Sequence, residues 1–377
     1  MAEKIFFVTN MNTHYTIKLY ELLSQRINVE YYFTGGEETY TDQRTKSMVG
    51  RFKGEYLNGV FLFPKFRFTP KLFSILFKKY DVMIKTIDDR FALPLTFLCA
   101  KFSRRPFIFW VGLWHHPQTL FHKVSYLFTK LIYHYSDAIV VYGEHIKEYL
   151  ITLGIDKDKI FCAPHAVDNS FFNKEVSAVE KNEIKSQLNV SDEQVLLYVG
   201  RLEPCKGLEY LLEAASRIEN KTVMVFIGTG ALRKLMEQRC RELNVQSRFL
   251  EFIPNSQLYK YYAVADLFIL PSISTEHFKE PWGLVINEAM NQGCPIIATN
   301  AVGAAVGGLV ENGKNGFVVQ EKNSQALRKA INKLVCDQPL KLQMSMASKE
   351  KIKNWTQENM AQGFFNAVEY VKKKRFS

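Results

Sequence analysis

The stretch Glu280-Pro-Trp-Gly-Leu-Val-Ile-Asn-Glu-Ala-Met-Asn-Gln-Gly293 decides how this chain is read. An apolar run, Leu267-Phe-Ile-Leu270, precedes it and ends at Pro271, and another, Pro295-Ile-Ile-Ala-Thr299, follows it. The order is therefore strand, loop, helix, strand. Apolar Leu284, Val285, Ile286, Ala289 and Met290 predict a helix that begins near Gly283 and stops at Gly293. The free amides at such a helix start form an anion site suited to phosphate. Two carboxylates bracket it: Glu280 in the loop ahead of the helix, and Glu288 one turn inside. A diphosphate held there would have an acid on each side, each able to grip sugar hydroxyls.

Outward from this unit the same alternation recurs. Strands are expected at 195–199, 222–227, 249–252, 267–270 and 295–298, separated by helices at 207–217, 231–242, 255–264 and 284–292. A polar, Lys/Glu-rich span from Asn173 to Glu193 reads as a linker. Ahead of it, strands at 4–9, 29–33, 82–85, 107–111, 138–141 and 159–162 form an earlier series, with a helix over 16–24. Short apolar strands alternating with helices predict parallel sheets covered on both faces. The fold class expected is α/β: two facing Rossmann-like parallel-sheet domains, with the active site in the cleft between them. The expected boundaries are 1–172 for an acceptor-binding domain and 173–355 for a donor-binding domain. Residues 356–377 form a last helix that packs back on the first domain.

At 377 residues the chain is long enough for two full cores, and 47% hydrophobic content excludes a disordered protein. The formal charge of +11 is compatible with nucleic acid, an anionic membrane or an anionic substrate, and does not choose among them. Six cysteines without CxxC spacing argue against a zinc site or a disulfide framework, and favour a reducing cytoplasm. The start, MAEKIFFVTN, reads as a strand rather than a signal peptide. Phe91 to Ala100, the longest uncharged apolar-rich run, falls short of the roughly 20 residues that span a bilayer. The expected location is cytoplasmic, with peripheral association at the inner face of the cell membrane.

Two further stretches leave a strand and enter a helix. Val199-Gly-Arg-Leu-Glu-Pro-Cys-Lys-Gly207 offers Arg201 and Lys206 to a diphosphate. Phe226-Ile-Gly-Thr-Gly-Ala-Leu-Arg233 gives a Gly-x-Gly turn, Gly228 and Gly230, that lacks the third glycine of the dinucleotide fingerprint. Taken with Glu280 through Glu288, and with Asn300-x-x-Gly303 and Glu311-Asn-Gly-x-Asn-Gly316, these motifs resemble the retaining family-4 glycosyltransferases of the GT-B fold. The acid pair with seven residues between is the most specific element. The resemblance is strong over 195–319 and weaker in the first half.

The resemblance implies roles residue by residue. Arg201 and Lys206 would neutralise the donor diphosphate, and the amides of Gly283, Leu284 and Val285 would bind phosphate. Glu288 would hold the nucleotide ribose, Glu280 the hydroxyls of the transferred sugar, and Ile253 would lie near the base. Gly228 and Gly230 would line the donor site. In the first half, Trp110-Val-Gly-Leu-Trp-His-His-Pro117 places Trp114 to stack on an acceptor sugar. His115 or His116 would lie near the reacting centre; His115 is taken as the catalytic member and His116 as an acceptor contact. The implied mechanism is front-face displacement with retention. No cofactor or metal is expected: the lone Asp-x-Asp, Asp156-Lys-Asp158, reads as an exposed turn, and Asp88-Asp89 is unsupported.

Two departures limit the carry-over. The loop after the first strand reads Asn10-Met-Asn-Thr-His14 instead of Gly-Gly, and His165 stands in Ala163-Pro-His-Ala-Val-Asp168 where Asn is usual. His165 is assigned no chemical role.

The expected partners are a nucleotide-sugar donor and a glycan or glycolipid acceptor, without nucleic acid. Arg44 to Lys79 carries nine basic residues against one acid, Glu55, interleaved with Phe52, Phe61, Phe63, Phe66, Phe68, Phe73 and Phe77. That mixture suits an anionic membrane surface, and Lys372-Lys-Lys-Arg375 would extend it. A solvated basic face over core aromatics is the plain alternative. Transfer to a soluble acceptor is the competing enzyme reading. A nicotinamide-dependent oxidoreductase is opposed by the incomplete glycine motif and the missing acidic ribose ligand, and an inactive sugar-nucleotide-binding subunit by retention of both acids and both cations.

Overall fold

The computed structural model describes residues 3–35, 51–63, 66–116 and 120–376. Of the basic residues read as a membrane face, Arg44, Lys46 and Lys65 lie outside the described residues. The chain divides into two compact units. The first runs through His165 and takes back the chain from Gln357; the second holds Ala166–Thr356.

The first unit contains a seven-stranded parallel sheet in the order β3-β2-β1-β6-β7-β8-β9. Its strands are β1 (Lys4–Thr9), β2 (Asn28–Phe33), β3 (Gly54–Tyr56), β6 (Val82–Thr86), β7 (Phe107–Val111), β8 (Ala138–Val141) and β9 (Ile160–Cys162). Between β3 and β6, β4 (Val60–Phe63) and β5 (Phe66–Phe68) form a separate antiparallel pair. Side chains alternate across a strand, so β1 feeds two cores. Ile5 and Phe7 join one buried cluster, Phe6 and Val8 another. This is why KIFFVT is apolar at nearly every position.

The last helix, Gln357–Phe376, covers one face of this sheet. Phe364 lies 5.7 Å from Phe7 and 5.2 Å from Trp110, and Met360, Phe365, Val368 and Val371 are buried beside it.

The second unit contains a six-stranded parallel sheet in the order β12-β11-β10-β13-β14-β15. These are β10 (Gln194–Val199), β11 (Thr222–Ile227), β12 (Ser247–Leu250), β13 (Leu267–Leu270), β14 (Ile296–Thr299) and β15 (Gly316–Val319). The order runs one way from β10 and the other way from β13. Their shared carboxyl edge is thus the topological switch point, where ligands bind in open α/β sheets.

Two sequence expectations are corrected, and four strands were not expected. The presumed linker holds a helix, Ala178–Gln187, opened by a capping box in which Ser177 and Glu180 each accept from the other's backbone amide. The Ser-x-x-Glu pattern that announces it was legible in the sequence. The strand expected at 249–252 is Ser247–Leu250, and Phe252 beyond it is exposed. The strands not expected are β3, β4, β5 and β15.

Candidate functional site

The second unit's switch point brings the turn after β10 together with the loop and helix that follow β13. Lys206 closes a short 3-10 turn after β10, and Gly207 then starts the helix Leu208–Ala215. Ser272 follows β13, and Glu280 lies in the loop leading to the helix Leu284–Asn291. Backbone bonds hold that loop: Gly303 donates to the Glu280 carbonyl at 3.1 Å, and Ala304 to the Trp282 carbonyl at 2.8 Å. Trp282 is fully buried, donates from Nε1 to Asn287 Oδ1 at 2.9 Å, and stacks 5.7 Å from Trp355. The loop is therefore a rigid frame, not a free connector.

Gly283 caps the helix at φ +94°, a left-handed backbone that L side chains rarely adopt. A Cβ there would lie 2.7 Å from Leu270 Cδ2. The half-buried Leu284 and Val285 follow, so the first amides of the helix stand at the carboxyl edge of β13. Gly283, as the cap, has no side chain to bond to them.

Lys206 and Glu280 form a buried ion pair through Nζ and Oε2. Ser272 Oγ donates to the same Oε2 at 3.0 Å, and the Lys206 ammonium stands 5.4 Å from the Phe278 ring. Sequence reasoning named both charged residues but gave them separate tasks, phosphate for one and sugar for the other. It missed Ser272 and Phe278, which no motif announces.

Glu288 is buried inside the helix and accepts from the Tyr262 hydroxyl at 2.7 Å. Burial pushes its carboxyl up to about 7, against the lowering effect of the Tyr262 bond. Burial likewise drives the Tyr262 hydroxyl well above its ordinary value. Tyr262 has no sequence signal other than its place on the buried side of the helix Asn255–Val264.

Arg201 is placed differently from Lys206. Its guanidinium pairs with Glu203 at 2.8 Å, and its side chain is 63% exposed. To act on a phosphate it must leave Glu203, an exposed pair of the kind worth about 0–1 kcal/mol. Gly228 and Gly230 also have an immediate structural reason. A Cβ on Gly228 would meet the Gly200 carbonyl oxygen at 2.0 Å, and one on Gly230 the Leu202 carbonyl oxygen at 2.3 Å. They let the loops after β10 and β11 pack backbone to backbone, as the Leu202-to-Thr229 bond of 2.8 Å confirms. Ile253 is half-buried beyond β12.

In the first unit, Trp114, His115 and His116 follow β7, and all three are half-buried. The Trp114 ring meets His145 edge-on at 5.0 Å. The His116 ring lies 4.4 Å from Tyr126 and 6.2 Å from Tyr133, so it is engaged in aromatic packing. His165 stacks flat on Tyr142 at 4.1 Å and is fully buried, and that burial lowers its pKa to about 3. Asp156 of the Asp-x-Asp accepts from the Asp158 amide at 3.0 Å as a turn cap. Among the described residues no group of three or more His, Cys, Asp or Glu side chains is arranged to hold a metal ion.

Two parallel-sheet α/β units, with this switch-point geometry in the second, are the architecture of the GT-B fold, which the chain shares with the solved structures reported below. Residues 179–351 match the family model "Glycosyl transferases group 1". An uncharacterized glycosyltransferase of Methanocaldococcus jannaschii is 28% identical over 235 residues, covering 60% of this chain and 57% of that protein. A D-inositol 3-phosphate glycosyltransferase of Corynebacterium urealyticum is 32% identical over 183 residues, covering 45% and 41%. The chain thus matches about half the length of these curated relatives. Anabaena HepE, solved in complex with UDP, superposes with a TM-score of 0.78 at 19% identity, over 97% of this chain and 99% of that one. The lipopolysaccharide outer core galactosyltransferase WaaB superposes with a TM-score of 0.69 at 17% identity, over 97% and 99%. These last two likenesses are likenesses of fold.

Proposed function

We propose that the chain is a retaining glycosyltransferase of family 4 that moves a hexose from a nucleoside-diphosphate sugar to a growing surface glycan. The observation that carries this reading is the buried Lys206–Glu280 pair beside the helix start at Gly283, Leu284 and Val285, whose glycine cap offers no side chain. A cation and a helix start at one sheet edge supply charge stabilisation for a departing nucleoside diphosphate without calling on a metal. Lys206 and the three amides hold the diphosphate, with Arg201 joining after it releases Glu203. Glu288 and Glu280 bind ribose and sugar hydroxyls. The first unit binds the acceptor, with Trp114 against a sugar face and His115 near the reacting carbon.

In front-face displacement the bond from the anomeric carbon to the diphosphate oxygen breaks. The acceptor oxygen bonds to the same face, and a donor phosphate oxygen takes the acceptor's proton. No protein carboxylate attacks the sugar. NMR of the product anomer tests this directly: retention supports it, and inversion removes it.

The acceptor is proposed to be carried on a lipid or lipopolysaccharide, as the fold likeness to WaaB suggests. The β4–β5 pair fits a peripheral contact with an anionic membrane, since Val60, Phe61 and Leu62 are all more than half exposed there. Arg67 lies over Phe61 in the same pair. Among the described residues no helix is long and apolar enough to cross a membrane. Co-flotation with anionic vesicles at low salt, lost on Phe61→Ser/Leu62→Ser, tests the contact. For the donor, a thermal-shift panel of nucleoside diphosphates and their sugars, starting from UDP, with Lys206→Ala and Glu288→Ala as controls, tests the site. Binding unaffected by both substitutions would contradict it.

A further inference from the structure

Glu288 is buried inside the helix Leu284–Asn291, yet the function proposed above asks it to hold a ribose. A buried carboxylate serves a ligand when the fold fixes one of its oxygens and leaves the other. Tyr262 makes that division. Its hydroxyl donates to Glu288 Oε2 at 2.7 Å, and among the described residues this is the one hydrogen bond that the carboxylate accepts.

Tyr262 has little freedom of its own. It lies fully buried on the helix Asn255–Val264, and its ring meets Phe268 of β13 edge-on at 5.7 Å. Its carbonyl accepts from the Ala265 amide at 3.2 Å and from Cys294 Sγ at 3.2 Å. The end of this helix is thereby tied to the segment that leads into β14. With ring and backbone both held, the phenol has one position from which to donate.

Stability does not account for the pair. Burial raises the Glu288 carboxyl to about 7, the Tyr262 bond opposes that rise, and no cation offsets the burial. A carboxylate buried in this way costs free energy. Apolar side chains of similar shape at both positions would fill the space at little or no cost. A polar pair that breaks the rule for a core belongs to a site.

What the pair offers a ligand follows from the oxygen that is taken. An ionised carboxylate has about four lone-pair positions, and Tyr262 occupies one of them on Oε2. The last torsion of a glutamate is broad and two-fold by itself, so a fixed donor is what sets the plane of the group. Neighbouring hydroxyls of one sugar ring need that plane in a single orientation.

We propose that Tyr262 is a positioning residue for nucleotide recognition, orienting the Glu288 carboxylate so that Oε1 receives a ribose hydroxyl. The proposal rests on the donor-site reading given above. Tyr262 itself touches no ligand and takes no part in bond making or breaking.

Equilibrium binding to the full chain tests this, with UDP, GDP and ADP and the 2′,3′-dideoxy form of each. The nucleotide that the parent binds most tightly defines the pair compared. The parent should prefer it over its dideoxy form by about tenfold or more, the effect of a hydroxyl on a charged acceptor. Tyr262→Phe should weaken the ribonucleotide about tenfold and leave the dideoxy form within about twofold of the parent, so that the preference collapses. Both members are read on one preparation, so any loss of folded protein cancels in the ratio. Tyr262→Met, which also fills the space without a donor, is the second variant if the first does not fold; failure of both to fold would overturn the proposal. Weakening of both nucleotides by the same factor would make Tyr262 structural and overturn it, as would a preference left unchanged. A parent that binds a nucleotide but ignores its hydroxyls removes the ribose contact and this proposal, and leaves the diphosphate reading standing. A parent that binds none of them removes both.

Discussion

Lys206 and Glu280, 74 positions apart, share one buried ion pair, and Ser272 supplies a hydroxyl to the same carboxylate oxygen. Removing one member of a buried pair strands the other, at a cost of about 3–5 kcal/mol. Lys206→Met should therefore lower stability by several kcal/mol in denaturant melts and abolish nucleotide-sugar binding in calorimetry. Glu280→Gln keeps an acceptor for Ser272 and should cost less stability while reducing turnover by orders of magnitude. Equal, small effects of both substitutions on stability would show that the pair is not buried in solution.

Glu288 gives a pH dependence of definite sign. Its folded-state value, about 7, lies above the ordinary carboxylate value of 4.5. A carboxyl raised in this way favours the folded state below the ordinary value, and that advantage is lost as pH rises from there through 7. The difference corresponds to about 3 kcal/mol. Glu288→Gln should flatten the loss, so the variant gains on the parent between pH 5 and pH 8 in urea melts of the ligand-free protein. The same variant should bind nucleoside diphosphates more weakly.

Gly283 is fixed by both backbone and space. Gly283→Ala forces a Cβ into the left-handed region and against Leu270. A loss of about 1–3 kcal/mol is expected from the strained backbone, read as a lowered melting temperature. Donor affinity should fall as well, because the helix start moves; a variant with unchanged melting and binding would rule out the glycine's role.

His165 predicts acid sensitivity. Its folded-state pKa of about 3 lies below the ordinary value of 6.5. The stabilisation is complete above 6.5 and is lost as pH falls from there toward 3. His165→Phe keeps a flat ring against Tyr142 and should remove part of the acid-induced loss between pH 6.5 and 4. Circular dichroism melts across that range measure it, and parallel losses in parent and variant would count against the assignment.

Legibility followed the length of the signal. Strands such as Phe107–Val111 and Thr222–Ile227 are continuous apolar runs in a sheet buried on both faces, and their spans could be read from residues alone. The three-residue strands β3 and β5 have no such run. At the site, Glu280, Glu288 and the helix start were legible because one short stretch carries them all. Their partners were not: Tyr262, Ser272 and Phe278 matter only because the fold brings them there. The Gly228-x-Gly230 turn was legible as a glycine motif, but the reason for it, two loops packed backbone to backbone, belongs to tertiary structure. His116 was named for chemistry, and the fold sets it among tyrosines.

The last helix carries a consequence for the order in which the protein is made. Phe364, Phe365 and Val368 complete the core around Phe7 and Trp110, which leave the ribosome some 250 residues or more earlier. The sheet of the first unit thus has one face without its cover throughout translation of the second unit, which runs to Thr356. Of the two units, the one that begins earlier is completed later, and in the interval its apolar face is the surface that a chaperone would have reason to hold.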